Sequence, residues 1–181
     1  DFDEIKFSSN NKFSFKISKK FSVKDFVIDS DVELERFSLL NKFDLKNIFP
    51  NFKKKIRFDN HKIKINYNKK TLQINGVGKI LLQENNDELS YSLKKKGENY
   101  IFKSNIGIKE NSFLIDFINF EKSKNSKLIL EINGTKNPEN ITRLNFISLR
   151  ENENKLSIKN FLCEGEIYNP LQLNYTLGRT F

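Results

Sequence analysis

Between residues 71 and 108 the stretch TLQINGVGKILLQENNDELSYSLKKKGENYIFKSNIGI states one pattern three times. Leu72, Ile74, Ile80 and Leu82 alternate with Gln, Asn and Lys; so do Leu89, Tyr91 and Leu93, and then Tyr100, Phe102, Ile106 and Ile108. A period of two puts each apolar set on one face of a strand and each polar set on the other. The polar clusters ENND and KKKGEN separate the runs and read as turns. Three such runs in succession predict an antiparallel meander with one oily face.

The rest of the chain carries the same rhythm. KFSFKIS (12–18) alternates, and FSVKDFVIDSDVELERF (21–37) continues it with a phase slip at Lys24–Asp25 that predicts a bulge or turn. KKIRF and HKIKINYN predict strands over 54–58 and 62–68; KLILEING, TRLNFISL, KLSIKNF and LQLNYTL predict four more between 127 and 177. Two segments depart from it. Leu39, Leu40, Phe43 and Phe49 fit a helical face or an irregular loop that Pro50 ends, and NSFLIDFINFEKS (111–123) fits a short helix capped by Asn111 or Ser112. The expected total is ten to twelve strands with one or two short helices. Pro50, Pro138 and Pro170 all fall between runs. No domain boundary is visible, so residues 1–181 read as a single unit.

Composition agrees with strands. The 181 residues hold 18 Phe and no Met or Trp, and no Ala at all, so the best helix former is missing. About a third of the chain is Leu, Ile, Val or Phe, enough for a core. Lacking Met, the chain is expected to be an internal or processed segment of a longer protein. No apolar run reaches the ~18–20 residues of a membrane span and no signal peptide is present, so any anchor is expected outside this segment. The net charge of +9 points to anionic partners or simply to a solvated Lys-rich face.

Catalytic signals are sparse. His61 stands alone and reads as the opening of a strand; Cys163 is the single cysteine and has no thiol-protease context. Glu84, Asp87, Glu88, Glu151 and Glu153 sit in turn-like clusters, where solvation explains them. Gly76 and Gly78 lack the third glycine and the strand-to-helix setting of a nucleotide loop. They fall on the apolar parity of their strand and predict a bend, or room for a guest on the oily face. The NGT, NIT and NYT triplets are expected by chance in so Asn-rich a chain. Aromatics and lysines in KFSFKIS and NYIFKSNI fall mostly on opposite faces, which argues against a base-stacking platform and against nucleic acid as partner.

The run from NIFPNFKKKIRFDNHKIKINYNKK through the G-x-G strand to KSNIGI, with FLIDFINFEKS and LILEINGTK after it, resembles the AsmA-like superfamily of bacterial envelope proteins. Within it the likeness is to the large YhdP-type members, over roughly residues 45–165. The resemblance implies a sheet curled into a groove with an apolar interior. It further implies a periplasmic position, tethered to the inner membrane by an anchor outside this segment, and conduction of phospholipids toward the outer membrane. No motif residue transfers, because the function of that family lies in a lining.

The expectation is therefore an all-β antiparallel meander curled into a groove or half-barrel. Its apolar lining is formed by Phe13, Phe15, Ile17, Ile65, Tyr67, Leu72, Ile74, Ile80, Leu89, Tyr91, Phe102 and Leu130, with Lys16, Lys64, Lys79 and Lys103 outside. Phospholipid acyl chains and neighbouring segments of the same longer chain are the expected partners. No enzyme activity, cofactor or metal is expected. The competing reading is a closed β-sandwich used for adhesion or scaffolding in the envelope, because alternation specifies an oily face without specifying what covers it.

Overall fold

The computed structural model describes residues 2–41, 44–123, 125–139, 141–163 and 175–176. Ten strands form one antiparallel sheet in which nearly every strand lies beside its neighbour in sequence. They are β1 (Phe2–Ile17), β2 (Val23–Leu40), β3 (Lys55–Tyr67), β4 (Thr71–Leu81), β5 (Asn86–Lys96), β6 (Asn99–Ile108), β9 (Leu128–Lys136), β10 (Thr142–Glu151), β11 (Asn154–Cys163) and β12 (Tyr175–Thr176). The 109–127 connection between β6 and β9 carries a two-stranded flap, β7 (Leu114–Ile115) with β8 (Phe120–Glu121). Strands β1 and β12 are the ends of the order, so the sheet is an open meander and not a closed barrel.

Turn chemistry sets the hairpins. The Asn68 side chain accepts from the backbone N–H groups of Lys70 (2.9 Å) and Thr71 (3.0 Å), closing β3 onto β4. Gly97 takes φ +63° between β5 and β6, and Asn152 takes φ 51° between β10 and β11, both in the left-handed region that tight hairpins need.

Several strands run longer than their alternation suggests. The segments expected at 54–58 and 62–68 are one strand, β3, interrupted by a bulge. The register to β4 shifts between Asp59 and Lys62, and Asn60 is left-handed at φ 54°. The slip at Lys24–Asp25 is likewise a bulge: Asp25 has φ 52° and the β1–β2 register shifts between Ser14 and Lys16.

The helix expected over 111–123 shrinks to one 3-10 turn, Asp116–Ile118. Over 39–49 no helix forms in the described residues. Leu39 and Leu40 finish β2, and a turn over 46–48 brings Phe49 back onto the sheet, as the bond from Phe49 N–H to the Leu45 carbonyl (2.8 Å) shows. Of the expected strand over 171–177 only Tyr175–Thr176 is described, paired with Ser157–Ile158. Phe43, Pro170, Asn140 of NIT, Asn174 of NYT and the side chain of Cys163 lie outside the described residues. Among the described residues no helix is long and apolar enough to cross a membrane.

Candidate functional site

Cross-strand partners share a face, so the register traces rows of side chains across the sheet. One row runs Ile65, Ile74, Leu93, Phe102, Gly134 and Leu144 through six strands. The next runs Val32, Ile63, Gly76, Tyr91, Ser104, Ile132 and Ile147, and the one beyond it Gly78, Leu89, Ile106, Leu130, Leu149 and Leu156. On the other side of the first row lie Phe13, Ile28, Tyr67 and Leu72. Phe15 and Ile17 share the parity of Phe13 along β1. All twelve residues expected to line the groove therefore belong to one face. Lys16, Lys64, Lys79 and Lys103 have the opposite parity and are exposed.

Among the described residues that face is covered at one end only. Residues 44–53 and 111–122 fold over it and bury Phe49, Phe52 and Phe113 against Ile80, Leu82, Leu89, Ile108, Leu128, Leu130 and Leu149. Phe113 stands edge-on to Phe49 with ring centroids 5.4 Å apart. The two covers are stitched to each other by a bond from the Leu114 N–H to the Ile48 carbonyl (3.0 Å). Gln83, 1% exposed, bridges both: its Oε1 accepts from the Asn51 N–H (3.2 Å) and its Nε2 donates to the Ser112 carbonyl (2.8 Å).

Two acids expected to be solvated are buried here instead. Asp87 pairs with Ile80 on the apolar parity and accepts from Asn111 Nδ2 at 2.8 Å, and the same amide donates to the Asn85 carbonyl (2.7 Å). Burial pushes the Asp87 carboxyl up to about 6, against the pull of the Asn111 hydrogen bond, the Lys109 backbone N–H and the nearby Lys122 charge. Glu151 accepts from the Ser123 N–H (2.7 Å) and from the Ser126 hydroxyl, fixing the return of the flap into β9. Glu88, on the other face, does stay in solvent, and its bond from Lys127 holds its carboxyl low.

The glycines on the apolar parity make room for rings of this chain. Tyr91, the cross-strand partner of Gly76, lies over it, and Phe102 lies over its own partner Gly134. His61 lies over Gly78, between Phe58 and Tyr91, and is 1% exposed. Its Nε2 is 2.9 Å from the Lys79 carbonyl, which makes it the donor, and its Nδ1 is buried with no hydrogen-bond partner among the described residues. His61 thus sits inside the apolar face in mid-strand, at the bulge, and does not open a strand. Flat rings laid over glycines thin the layer above the sheet. Burial also pushes the Tyr91 hydroxyl up.

Beyond the covers no described residue lies over the face. Ile65, Leu72, Ile74, Leu93, Tyr91 and Phe102 are half-buried, and Tyr67 is exposed. Phe13, Phe15 and Ile17 have the expected parity yet are 61%, 52% and 62% exposed, because β1 is the edge strand and neither cover reaches it. The row at this end finishes on Lys95, Tyr100 and Lys136, with the Lys95 ammonium 5.3 Å from the Tyr100 ring centre. A trough of about 590 Å³ is lined mostly by residues of the opposite, polar parity, among them Asp31, Glu33, Lys62, Lys64 and Lys103, and also by Val32, Ile63, Gly76 and Tyr91; its charges are mixed. Among the described residues no group of three or more His, Cys, Asp or Glu comes together as metal ligands do.

Comparison with protein-family models, with curated proteins and with solved structures finds no match to this chain.

Proposed function

We propose that this chain is a non-enzymatic lipid-binding and lipid-conducting β-sheet segment of a longer periplasmic protein tethered to the inner membrane, its apolar face holding phospholipid acyl chains. One observation carries the reading: the row Ile65, Ile74, Leu93, Phe102, Gly134 and Leu144 crosses six strands without one side-chain hydrogen-bonding group, and its members other than the buried Gly134 are only half-buried. At ~4.8 Å per strand the row is about 24 Å long, comparable with an extended acyl chain. Each buried methylene contributes ~0.8 kcal/mol, so a lining without head-group recognition still holds a tail. Lys95 and Lys136 stand one row away, on β5 and β9, and add positive charge along that side of the row.

The alternative is an envelope scaffold or adhesion domain that closes the same face against protein. A photo-crosslinking amino acid at Ile74 separates the two when compared with one at Lys79 on the opposite face. Capture of phospholipid at Ile74 and not at Lys79, together with phospholipid bound in native mass spectra, is the expected result. Equal capture from both faces, or none from either, refutes the lipid reading and leaves the scaffold.

A further inference from the structure

We infer that the end of the sheet opposite the covers is a docking surface for a bilayer rich in anionic phospholipid, with the tip of the β1–β2 hairpin entering its interface. Four hairpins turn at this end, closed by the pairs Ile17–Val23, Tyr67–Leu72, Lys96–Asn99 and Lys136–Thr142. The turns and the strand residues that carry them (13–28, 67–72, 95–100 and 136–139) hold nine lysines against three acids, an excess of six where the whole chain has nine. At the covered end (37–58, 80–87, 108–128 and 151–154) the described residues include eight lysines and arginines, matched by eight acids. The positive charge is thus concentrated at one end. There only Lys16 pairs with an acid among the described residues, reaching Asp25 at 3.1 Å. Unpaired charge at this density attracts an anionic surface.

The hairpin tip selects lipid among anionic partners. The β2–β3 ladder stops at Ile28–Tyr67, while β1 and β2 stay paired as far as Ile17–Val23. The hairpin therefore overhangs β3 by four residues of strand, about 13 Å, and then by its turn. That turn is fixed by hydrogen bonds: the Ser18 N–H donates to the Ser22 carbonyl (2.9 Å), the Phe21 N–H to the Ser18 carbonyl (2.9 Å), and the Ser22 N–H to the Ser18 hydroxyl (3.2 Å). At the tip Phe21 takes φ 55°, a left-handed conformation that suits Gly or Asn, and is 90% exposed. A bulky ring is held there against backbone preference and packs on nothing in this chain. Ile17 and Val23 beside it are more than half exposed, with Lys19, Lys20 and Lys24 around them. An apolar tip ringed by lysines fits the boundary of a membrane, where the ring enters the acyl region and the ammonium groups stay among the phosphates. The aliphatic pair offers a nucleic acid nothing to stack on.

Co-sedimentation of the whole chain with phosphatidylcholine vesicles, with and without phosphatidylglycerol, tests the docking. Binding is expected only with phosphatidylglycerol and should weaken as salt is raised. Lys19→Gln with Lys20→Gln should weaken it about twentyfold. Phe21→Asn, which suits the left-handed turn, should weaken it about tenfold. Lys53→Gln with Lys54→Gln, at the covered end, should change it by less than about twofold. Because the chain has no Trp, Phe21→Trp reports insertion. Brominated acyl chains are expected to quench it and not Glu153→Trp, in the β10–β11 turn at the covered end. Failure to bind phosphatidylglycerol vesicles, equal losses from the two lysine pairs, or equal quenching at 21 and 153 overturns the docking. Binding to single-stranded DNA with none to vesicles overturns it too, and assigns this end to nucleic acid. Docking does not require the apolar face to hold acyl chains: vesicle binding without phospholipid capture at Ile74 keeps the docking surface and removes the conducting face, and capture without vesicle binding does the reverse.

Discussion

Replacing Asp87 by Asn removes a carboxyl that this sheet holds well above its ordinary value, and the consequence for stability has a definite sign. Asp87 is 2% exposed, faces Ile80 across the β4–β5 ladder, and is shifted from 3.8 to about 6. Its surroundings come from several elements: Asn111 and the Lys109 N–H donate to it, Lys122 of the flap attracts the charge, and Glu110 repels it. A carboxyl raised on folding binds its proton more tightly in the native state. It therefore supports folding below pH 3.8, and that support is lost as the pH rises to about 6, after which both states are ionised. The difference of about 2.2 units corresponds to at most about 3 kcal/mol, at ~1.36 kcal/mol per unit.

The amide introduced by Asp87→Asn can still accept from Asn111 and carries no charge at any pH. The stability of Asp87→Asn minus that of the unaltered chain should thus rise by up to about 3 kcal/mol between pH 3.5 and 6.5, then level off. Urea titration followed by far-ultraviolet circular dichroism measures it at each pH, tyrosine fluorescence serving as second probe because the chain has no Trp. A difference that stays flat to within about 0.5 kcal/mol across that range would mean the carboxyl is solvated in the folded state, and the clasp between Asn111 and β5 would have to be abandoned.

Two further substitutions probe how the face is covered and how its glycines work. Phe113→Ala removes a ring that is 2% exposed and packed on Phe49 and Phe120, and should cost about 3–5 kcal/mol in the same urea titration. A cost under about 1 kcal/mol would show that the cover is not seated on the sheet. Gly134→Ala would place a methyl 2.5 Å from the Arg143 carbonyl oxygen and 2.7 Å from the Phe102 ring, so a loss of about 1–3 kcal/mol is expected. Gly97→Ala, with nothing within 4 Å of the new methyl, should cost only the left-handed backbone term of about 1 kcal/mol and serves as the control.

The faces of the strands were legible because the period of two is a local signal. Every apolar residue assigned to the lining shares one face in the sheet. What covers that face is not local, and there the reading failed. Residues 39–49 matched a helical template because Leu39 and Leu40, which end β2, happen to stand at helical spacing from Phe49, which turns back over the sheet. Asn60 and His61 broke the alternation, and so the pattern divided a strand that only bulges. Asp87 and Glu151 were lost among the polar letters of ENND and ENEN. One available signal would have found both acids: Asp87 keeps the parity of Leu89 and Tyr91, and Glu151 keeps that of Ile147 and Leu149. A carboxylate on the oily parity asks for a partner, and Asn111, Ser123 and Ser126 are those partners.

The two ends of the apolar face differ in a way that bears on what lies over the open one. Protein laid across an oily sheet brings backbone N–H and C=O groups that need partners once water is excluded. The covered end meets that need from the sheet. Gln83 takes up the Asn51 N–H and the Ser112 carbonyl, Leu82 accepts from the Lys53 N–H, and Asn111 reaches the backbone on both sides of Asn85. Along the open row from Ile65 through Ile74, Leu93 and Phe102 to Leu144 the side chains offer no donor and no acceptor, and the rows beside it carry Tyr67, Lys95 and Tyr91. An irregular peptide segment seated there would leave its own polar groups unmet, at about 1–3 kcal/mol each, whereas the strands of a second sheet would pair theirs in their own ladders. An acyl chain brings no such groups. The same chemistry that places hydrogen-bonding side chains at the covered end makes their absence along the open row favour a hydrocarbon chain or a self-paired sheet over a further irregular cover.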